Sequence, residues 1–175
     1  YLIMVSYYLA FMHEKNENEV NNILDDIVLS EKYNKYYPRI QFEYQLNKID
    51  IERVKKSLRL NVASIDKYYR IEFALLEVDI KDIIEILKLF PESKDSDVLI
   101  INILHNLFWN KRKEAELKKY ARKFISSLDY SQRDKYNDHL NYEVGEIVKY
   151  AFNKETGKRE AKIIYEKIIE LIKRK

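Results

Sequence analysis

Two glycines and two prolines are the whole supply of dedicated turn residues in this 175-residue chain. Tight β-hairpins and bulges draw on such residues, so a chain this poor in them cannot build many. Leu, Ile, Lys and Glu dominate instead, and most of these favour helices. Apolar residues make up 46% of the chain, enough for a real core. An all-α protein is expected.

The charge balance narrows the partners. There are 32 basic and 29 acidic residues, a net charge of +3. Binding nucleic acid across a broad face needs a larger and more segregated excess. Nucleic-acid binding by a broad face of these residues is therefore not expected. With no cysteine, there is neither a disulfide framework nor a thiolate metal site, which fits a reducing, cytoplasmic setting. Tyr1 to Met12 is apolar on nearly every side. It is too short for a membrane span, and neither a basic n-region nor a small-residue cleavage site accompanies it. A helix apolar all round is normally buried. The expectation is a single helical-repeat domain over residues 1–175, a fragment lacking an N-terminal segment and with no membrane association.

Helical spacing recurs along the chain. Tyr7 to Met12 leads through His13 to Asn18 into a helix with Val20, Ile23, Leu24 and Ile27 at i, i+3, i+4, i+7. Phe42, Leu46 and Ile49 mark the next helix, with Asp50 as the cap of the one after, carrying Val54 and Leu58. Tyr68, Ile71, Leu75 and Val78 form a further stripe, and Asp79 caps a helix bearing Ile83, Ile86, Leu87 and Phe90. Pro91 ends that helix, and Ser96 or Asp97 caps the next. The last segments are Asp97 to Trp109, Glu114 to Leu128, Asn137 to Phe152 and Arg159 to Lys175, with Gly157 as a turn residue. Turns fall near Lys15, Lys48, Asp79, Lys111 and Lys154, the first three gaps being about 31 to 33 residues, the period of helical-repeat arrays. The expected architecture is a right-handed array of about five antiparallel helix pairs. An irregular helical bundle would also alternate helices and turns.

The runs LFWNKRKEAELKKYARKF and KYAFNKETGKREAKIIYEKIIELI resemble tetratricopeptide repeats. Each leads from large apolar residues into a polar turn, then to Ala115 or Ala161 at a tight helix crossing, then to Tyr120 or Tyr165. The Trp-Leu-Gly-Tyr series of the repeat's first helix is absent. LIINILHNLFWNKRKEAELKKYARKF with YEVGEIVKYAFNKETGKREAKIIYEKIIELIK also resembles the C-terminal repeat domain of Rgg/MutR-type regulators. In those Gram-positive peptide-pheromone receptors a DNA-binding helix-turn-helix precedes a repeat domain that grips a signalling peptide. The match covers under half of the chain, and no helix-turn-helix signature is visible.

Asn102, His105, Asn106 and Trp109 share one helical stripe beside the apolar stripe Ile100, Ile103, Leu104 and Leu107. Side-chain amides hydrogen-bond an extended backbone through donor and acceptor, and an indole offers an apolar pocket. The resemblance implies the same use of Asn102 and Asn106, since those receptors place asparagines on their inner helices. Gln41, Tyr44, Gln45 and Lys48 form a second such stripe, and His139, Tyr142, Glu146 and Lys149 a third. Arg39 and Arg70 are candidates for a peptide carboxylate. The binding set is thus Asn102, Asn106, Trp109, Tyr142, Lys149, Tyr44, Gln45 and Arg70. A solvated helix face would give the same residues.

No HExxH, glycine-rich phosphate loop or nucleophile motif is present. His139 and Glu143, at i and i+4, lack a third metal ligand. No catalytic residue, metal or cofactor is expected. The expected function is binding of a short peptide or partner protein, as the sensor and dimerisation domain of a bacterial peptide-responsive transcriptional regulator, with room for a homodimer. A protein–protein scaffold without a small ligand is the alternative.

Overall fold

The structure, a computed structural model, describes residues 2–43, 45–130, 138–152 and 157–173. Among them every regular element is helical. The helices are α1 (Leu2–Lys15), α2 (Glu17–Leu29), α3 (Tyr37–Gln41), α4 (Lys48–Arg59), α5 (Ile71–Ala74), α6 (Ile80–Leu89), α7 (Lys94–Trp109), α8 (Ala115–Ser127), α9 (Asp138–Ala151) and α10 (Lys158–Lys173). No helix among the described residues is long and apolar enough to cross a membrane. The chain divides into two compact units, Tyr1–Leu99 and Ile100–Lys175.

In the first unit, Leu9 of α1 packs with Val20 and Leu24 of α2 and Ile40 of α3. The Tyr68 ring lies 6.2 Å from both Phe42 and Phe90. Its hydroxyl donates to Ser57 Oγ at 3.1 Å, as a buried phenol must to avoid an unsatisfied donor. Burial raises the Tyr68 pKa, against the pull of that hydrogen bond.

Two of the expected leading helices are cut to a single turn. Phe42, Leu46 and Ile49 do not share a helix, because α3 stops at Gln41 and α4 starts at Lys48. The reason is a capping box. Asn47 Oδ1 accepts from the Ile49 and Asp50 backbone N–H groups, and Asp50 Oδ2 accepts from Asn47 N–H at 3.0 Å. Asn47 is therefore the cap and Asp50 the third helical residue, not the cap itself. Tyr68, Ile71, Leu75 and Val78 are all buried, yet they run through a 3-10 turn (Ile65–Tyr68), the one-turn α5 and a further turn. Asp79 caps α6 as expected, accepting from Lys81 N–H at 2.8 Å. At the next helix the cap is Ser93, whose hydroxyl accepts from Ser96 N–H at 3.2 Å. Ser96 and Asp97 lie inside α7.

The scarcity of glycine shows at the helix ends. After α4, Asn61 turns left-handed (φ 50°), and after α7 Lys111 does so (φ 65°). Each closes a Schellman motif: Val62 N–H donates to Ser57 O and Asn61 N–H to Leu58 O, while Arg112 N–H donates to Leu107 O and Lys111 N–H to Phe108 O.

In the second unit Leu117, Ala121, Ile125 and Leu128 of the α8 region join Leu140, Ile147 and Ala151 of α9 in the core. Cations close two helix ends, where carbonyls lack partners. Arg122 Nη1 donates to Ala151 O at 2.7 Å, and Lys167 Nζ donates to Ser126 O and Leu128 O. Gly157 has φ +86°, and a Cβ there would stand 2.6 Å from Arg122 Cδ and 2.8 Å from Phe152 Cδ1. Gly157→Ala should therefore cost about 1–3 kcal/mol, through backbone strain and the displaced Arg122. A fall in melting temperature of several degrees, with α10 amides exchanging faster, is the expected readout; an unchanged melt would refute this reading.

Candidate functional site

The second unit assembles an aromatic face on α7 and α9. The apolar stripe of α7 is buried as expected: Ile100, Ile103, Leu104 and Leu107 all lie in the core. That orientation turns Asn102, His105 and Asn106 to half-buried positions and leaves Trp109 exposed. On α9, Ile147 and Ala151 are buried, while His139, Tyr142 and Lys149 stand outside. The two helices are joined by Phe108, fully buried and stacked on Tyr150 with centroids 5.8 Å apart.

This packing brings His105 between two aromatic side chains, 6.0 Å from the Trp109 ring and 6.2 Å from the Tyr142 ring. Trp109 is 62% exposed and Tyr142 53%, so the pair presents large apolar area that nothing in the unit covers. Beneath them lies the buried carboxylate of Glu143. His139 Nε2 is 3.2 Å and His105 Nδ1 3.6 Å from Glu143 Oε1. One acid thus stands beside two imidazoles, within hydrogen-bond distance of His139 alone, and His105 Nε2 is buried without a hydrogen-bond partner among the described residues. Among those residues no group of three or more His, Cys, Asp and Glu side chains is placed to hold a metal.

The amides are held as well. Asn110 Nδ2 donates to Asn106 Oδ1 at 3.0 Å and to Asn106 O at 2.9 Å. Lys149 pairs with Glu146 one turn earlier, and that hydrogen bond, with the charge behind it, keeps the ammonium pKa above its usual value.

The other expected residues lie in the first unit and do not form one face. Gln41 ends α3, Lys48 begins α4, Gln45 is exposed between them, and Tyr44 lies outside the described residues. Gln41 is fully buried: it accepts from the Tyr37 hydroxyl and from Arg53. The expected stripe through Gln41, Tyr44, Gln45 and Lys48 is therefore not a helix face. Arg70 contacts Glu43 and donates to the Tyr69 hydroxyl, contacts that raise its pKa. Ala115 and Ala161 do not sit at helix crossings; both are exposed. In the second unit the buried alanines are Ala121 and Ala151, because the inward face of α8 is set by Leu117, Ala121 and Ile125, and Ala115 stands two residues out of phase with it.

A second feature has a different character. In the first unit a groove of about 480 Å³ is lined by Asp25, Lys48, Ile49, Ile51, Glu52, Arg53, Lys56 and Asp82. Its buried cations are already matched. Arg53 donates to Asp25, Asp50, Gln41 and Asn21, and Lys55 nearby donates to Glu52, Asp82 and Glu85. Sequence reasoning passed over both. The available signal was polar residues at core spacing: Asp50, Arg53 and Ser57 alternate with Val54 and Leu58 on one face of α4.

Comparison of this chain with protein-family models, with curated proteins and with solved structures found no match.

Proposed function

We propose that this chain is a binding module rather than an enzyme, and that the α7–α9 face takes a short, largely apolar peptide or the extended segment of a partner protein. The observation that carries this reading is the exposed Trp109 and Tyr142 pair bracketing His105. Aromatic side chains dominate binding energetics when a partner desolvates them. The half-buried Asn102 and Asn106 amides add donors and acceptors beside that pair, and Lys149 lies two turns along α9 on the Tyr142 side.

The finer architecture belongs to the proposal. Taken in chain order, the helices count as five successive couples, α1/α2, α3/α4, α5/α6, α7/α8 and α9/α10, two of them with a one-turn leading helix, the number expected of a degenerate tetratricopeptide-like array. Resemblance to Rgg/MutR-type regulators is what points to a signalling peptide and a cytoplasmic, transcription-linked role. The outward positions of Ala115 and Ala161 weaken the tetratricopeptide likeness of the last two helix couples, so the peptide-binding reading rests on the aromatic face.

Trp109 is the sole tryptophan, so its emission reports on this face alone. Titrating short apolar peptides into the chain should give a saturable blue shift. Tyr142→Ala should weaken binding by about 30-fold, equal to a hot-spot loss of about 2 kcal/mol. Asn102→Ala with Asn106→Ala should weaken it further. If no peptide of a diverse apolar set gives saturable emission or heat, the proposal fails.

A further inference from the structure

Helix α1 has two apolar faces, and only one is used. Leu9 packs with Val20, Leu24 and Ile40, with Leu2 and Met12 packed alongside. On the other side Ile3 (50%), Met4 (72%), Tyr7 (62%), Tyr8 (60%) and Phe11 (54%) are exposed. Their spacing is regular: Ile3, Tyr7 and Phe11 make one i, i+4 ridge, and Met4 and Tyr8 make the adjacent one. From Leu2 to Met12 no residue carries a charge. Isolated exposed apolar residues are ordinary, whereas a contiguous stripe of this kind marks an interaction surface.

We propose that this stripe is the interface of a homodimer, in which α1 of one copy crosses α1 of a second about a two-fold axis near Tyr7. Four observations favour a second copy. The ridges are self-complementary, because two sets of i±4 rows interdigitate at a crossing angle of about −50°. That satisfies a two-fold interface, where the same patch must fit itself. The area reaches the required scale: the five side chains expose on the order of 600 Å² per copy, so their complete burial would remove about 1,200 Å² in the pair, the lower bound for stable specific interfaces. The composition fits a protein interface, since Tyr, Phe and Met are enriched in interface cores. Charge does not oppose the pairing, because each chain carries only +3 and the sole cation near the stripe, Lys15, lies over the Phe11 ring at 4.2 Å.

A lipid surface fits less well. Interfacial helices carry a Lys/Arg-rich polar face opposite the apolar one. The opposite face of α1 is packed in the unit's own core, and Glu14, Glu17 and Glu19 stand at its C-terminal end and the start of α2, where anionic lipid would be repelled. This interface involves α1 alone and is independent of the aromatic face on α7 and α9.

Sedimentation equilibrium on the 175-residue chain tests the idea. The weight-average mass should climb from 21.3 kDa toward twice that value across the micromolar range. Tyr7→Glu, and separately Tyr8→Lys, should weaken association at least tenfold while leaving circular dichroism and melting unchanged, since both side chains are exposed. Mixing Tyr7→Glu with Tyr7→Lys chains should restore the dimer, because the two positions face each other at the axis. Tyr165→Glu, on exposed α10 surface, should leave it intact. A chain that stays monomeric at several hundred micromolar overturns the proposal. So does a dimer insensitive to Tyr7→Glu or lost with Tyr165→Glu, or a monomer that floats with anionic phosphatidylserine vesicles.

Discussion

Replacing Arg53 by alanine should destabilise the first unit by about 3–5 kcal/mol, the range seen when one partner of a buried ion pair is removed. The guanidinium joins three helices. Its Nε donates to Asp25 of α2 at 2.7 Å, Nη1 to Asp50 of α4 at 2.7 Å and to Gln41 of α3 at 3.1 Å, and Nη2 to Asn21 of α2 at 3.0 Å. Asp50 and Gln41 are fully buried. Without Arg53 they keep only part of their hydrogen bonding in a medium that penalises the remainder. Asp25 is half-exposed and water would solvate it, so most of the loss comes from the inner partners. Burial opposes the charged guanidinium, but the Asp25 hydrogen bond and the charges of Asp25 and Asp50 outweigh it and leave the pKa raised. A raised folded-state pKa means that the contribution is complete below the ordinary arginine pKa. It is lost only in strong alkali, so it does not titrate near neutrality. The melting transition should fall by on the order of 10 °C. Arg53→Met, which keeps the stem, should recover the packing share but not the charge share. The Arg53→Ala, Asp50→Ala double variant should lose less than the sum of the singles. A loss below about 1 kcal/mol for Arg53→Ala would sink this account, since that is what an exposed pair is worth.

Arg53 also shows where sequence reasoning stops. Short-range signals carried far: Asp79 at the start of α6, the buried stripe of α7 and the turn at Gly157 depend on neighbours within a few residues, and each was legible. Phase across a break was not. Asn47 and Asp50 are both cap-type residues, and the capping box uses both; restarting the helix at Asn47 leaves Phe42 and Leu46 buried and turns Ile49 out. A charged residue at core spacing reads as an error in the pattern until its partners are known, and those of Arg53 lie 28 to 32 residues away for Asp25 and Asn21. The candidate site divides the same way. The α7 face bearing Asn102, His105, Asn106 and Trp109 follows from 3.6-residue periodicity. The meeting of His105 with Tyr142 and Glu143 does not, because it depends on how α7 packs against α9.

That packing is tested by Phe108→Ala, which should cost about 3–5 kcal/mol from the core void alone. Loss of the stack on Tyr150 adds about 0.5–1.5 kcal/mol. Phe108 is also an acceptor in the Schellman turn that ends α7, but its backbone carbonyl survives the substitution, so the loss is one of packing. Phe108→Leu should retain more than half of the stability, as a smaller apolar side chain still fills part of the site. Hydrogen exchange locates the effect. Protection should fall throughout residues 100–173, in α8 and α9 as well as α7, while the Arg53 network in residues 2–99 keeps its own, because the contacts of the chain fall into two compact units. The aromatic face should suffer with it: His105 and Trp109 ride on α7 and Tyr142 and Glu143 on α9, so loosening the Phe108–Tyr150 contact widens the spacing a ligand would meet. Peptide binding should weaken in Phe108→Ala even though Phe108 touches no ligand. Equal loss of protection in both units would mean that the chain unfolds as one cooperative body, and the two-unit description would be wrong.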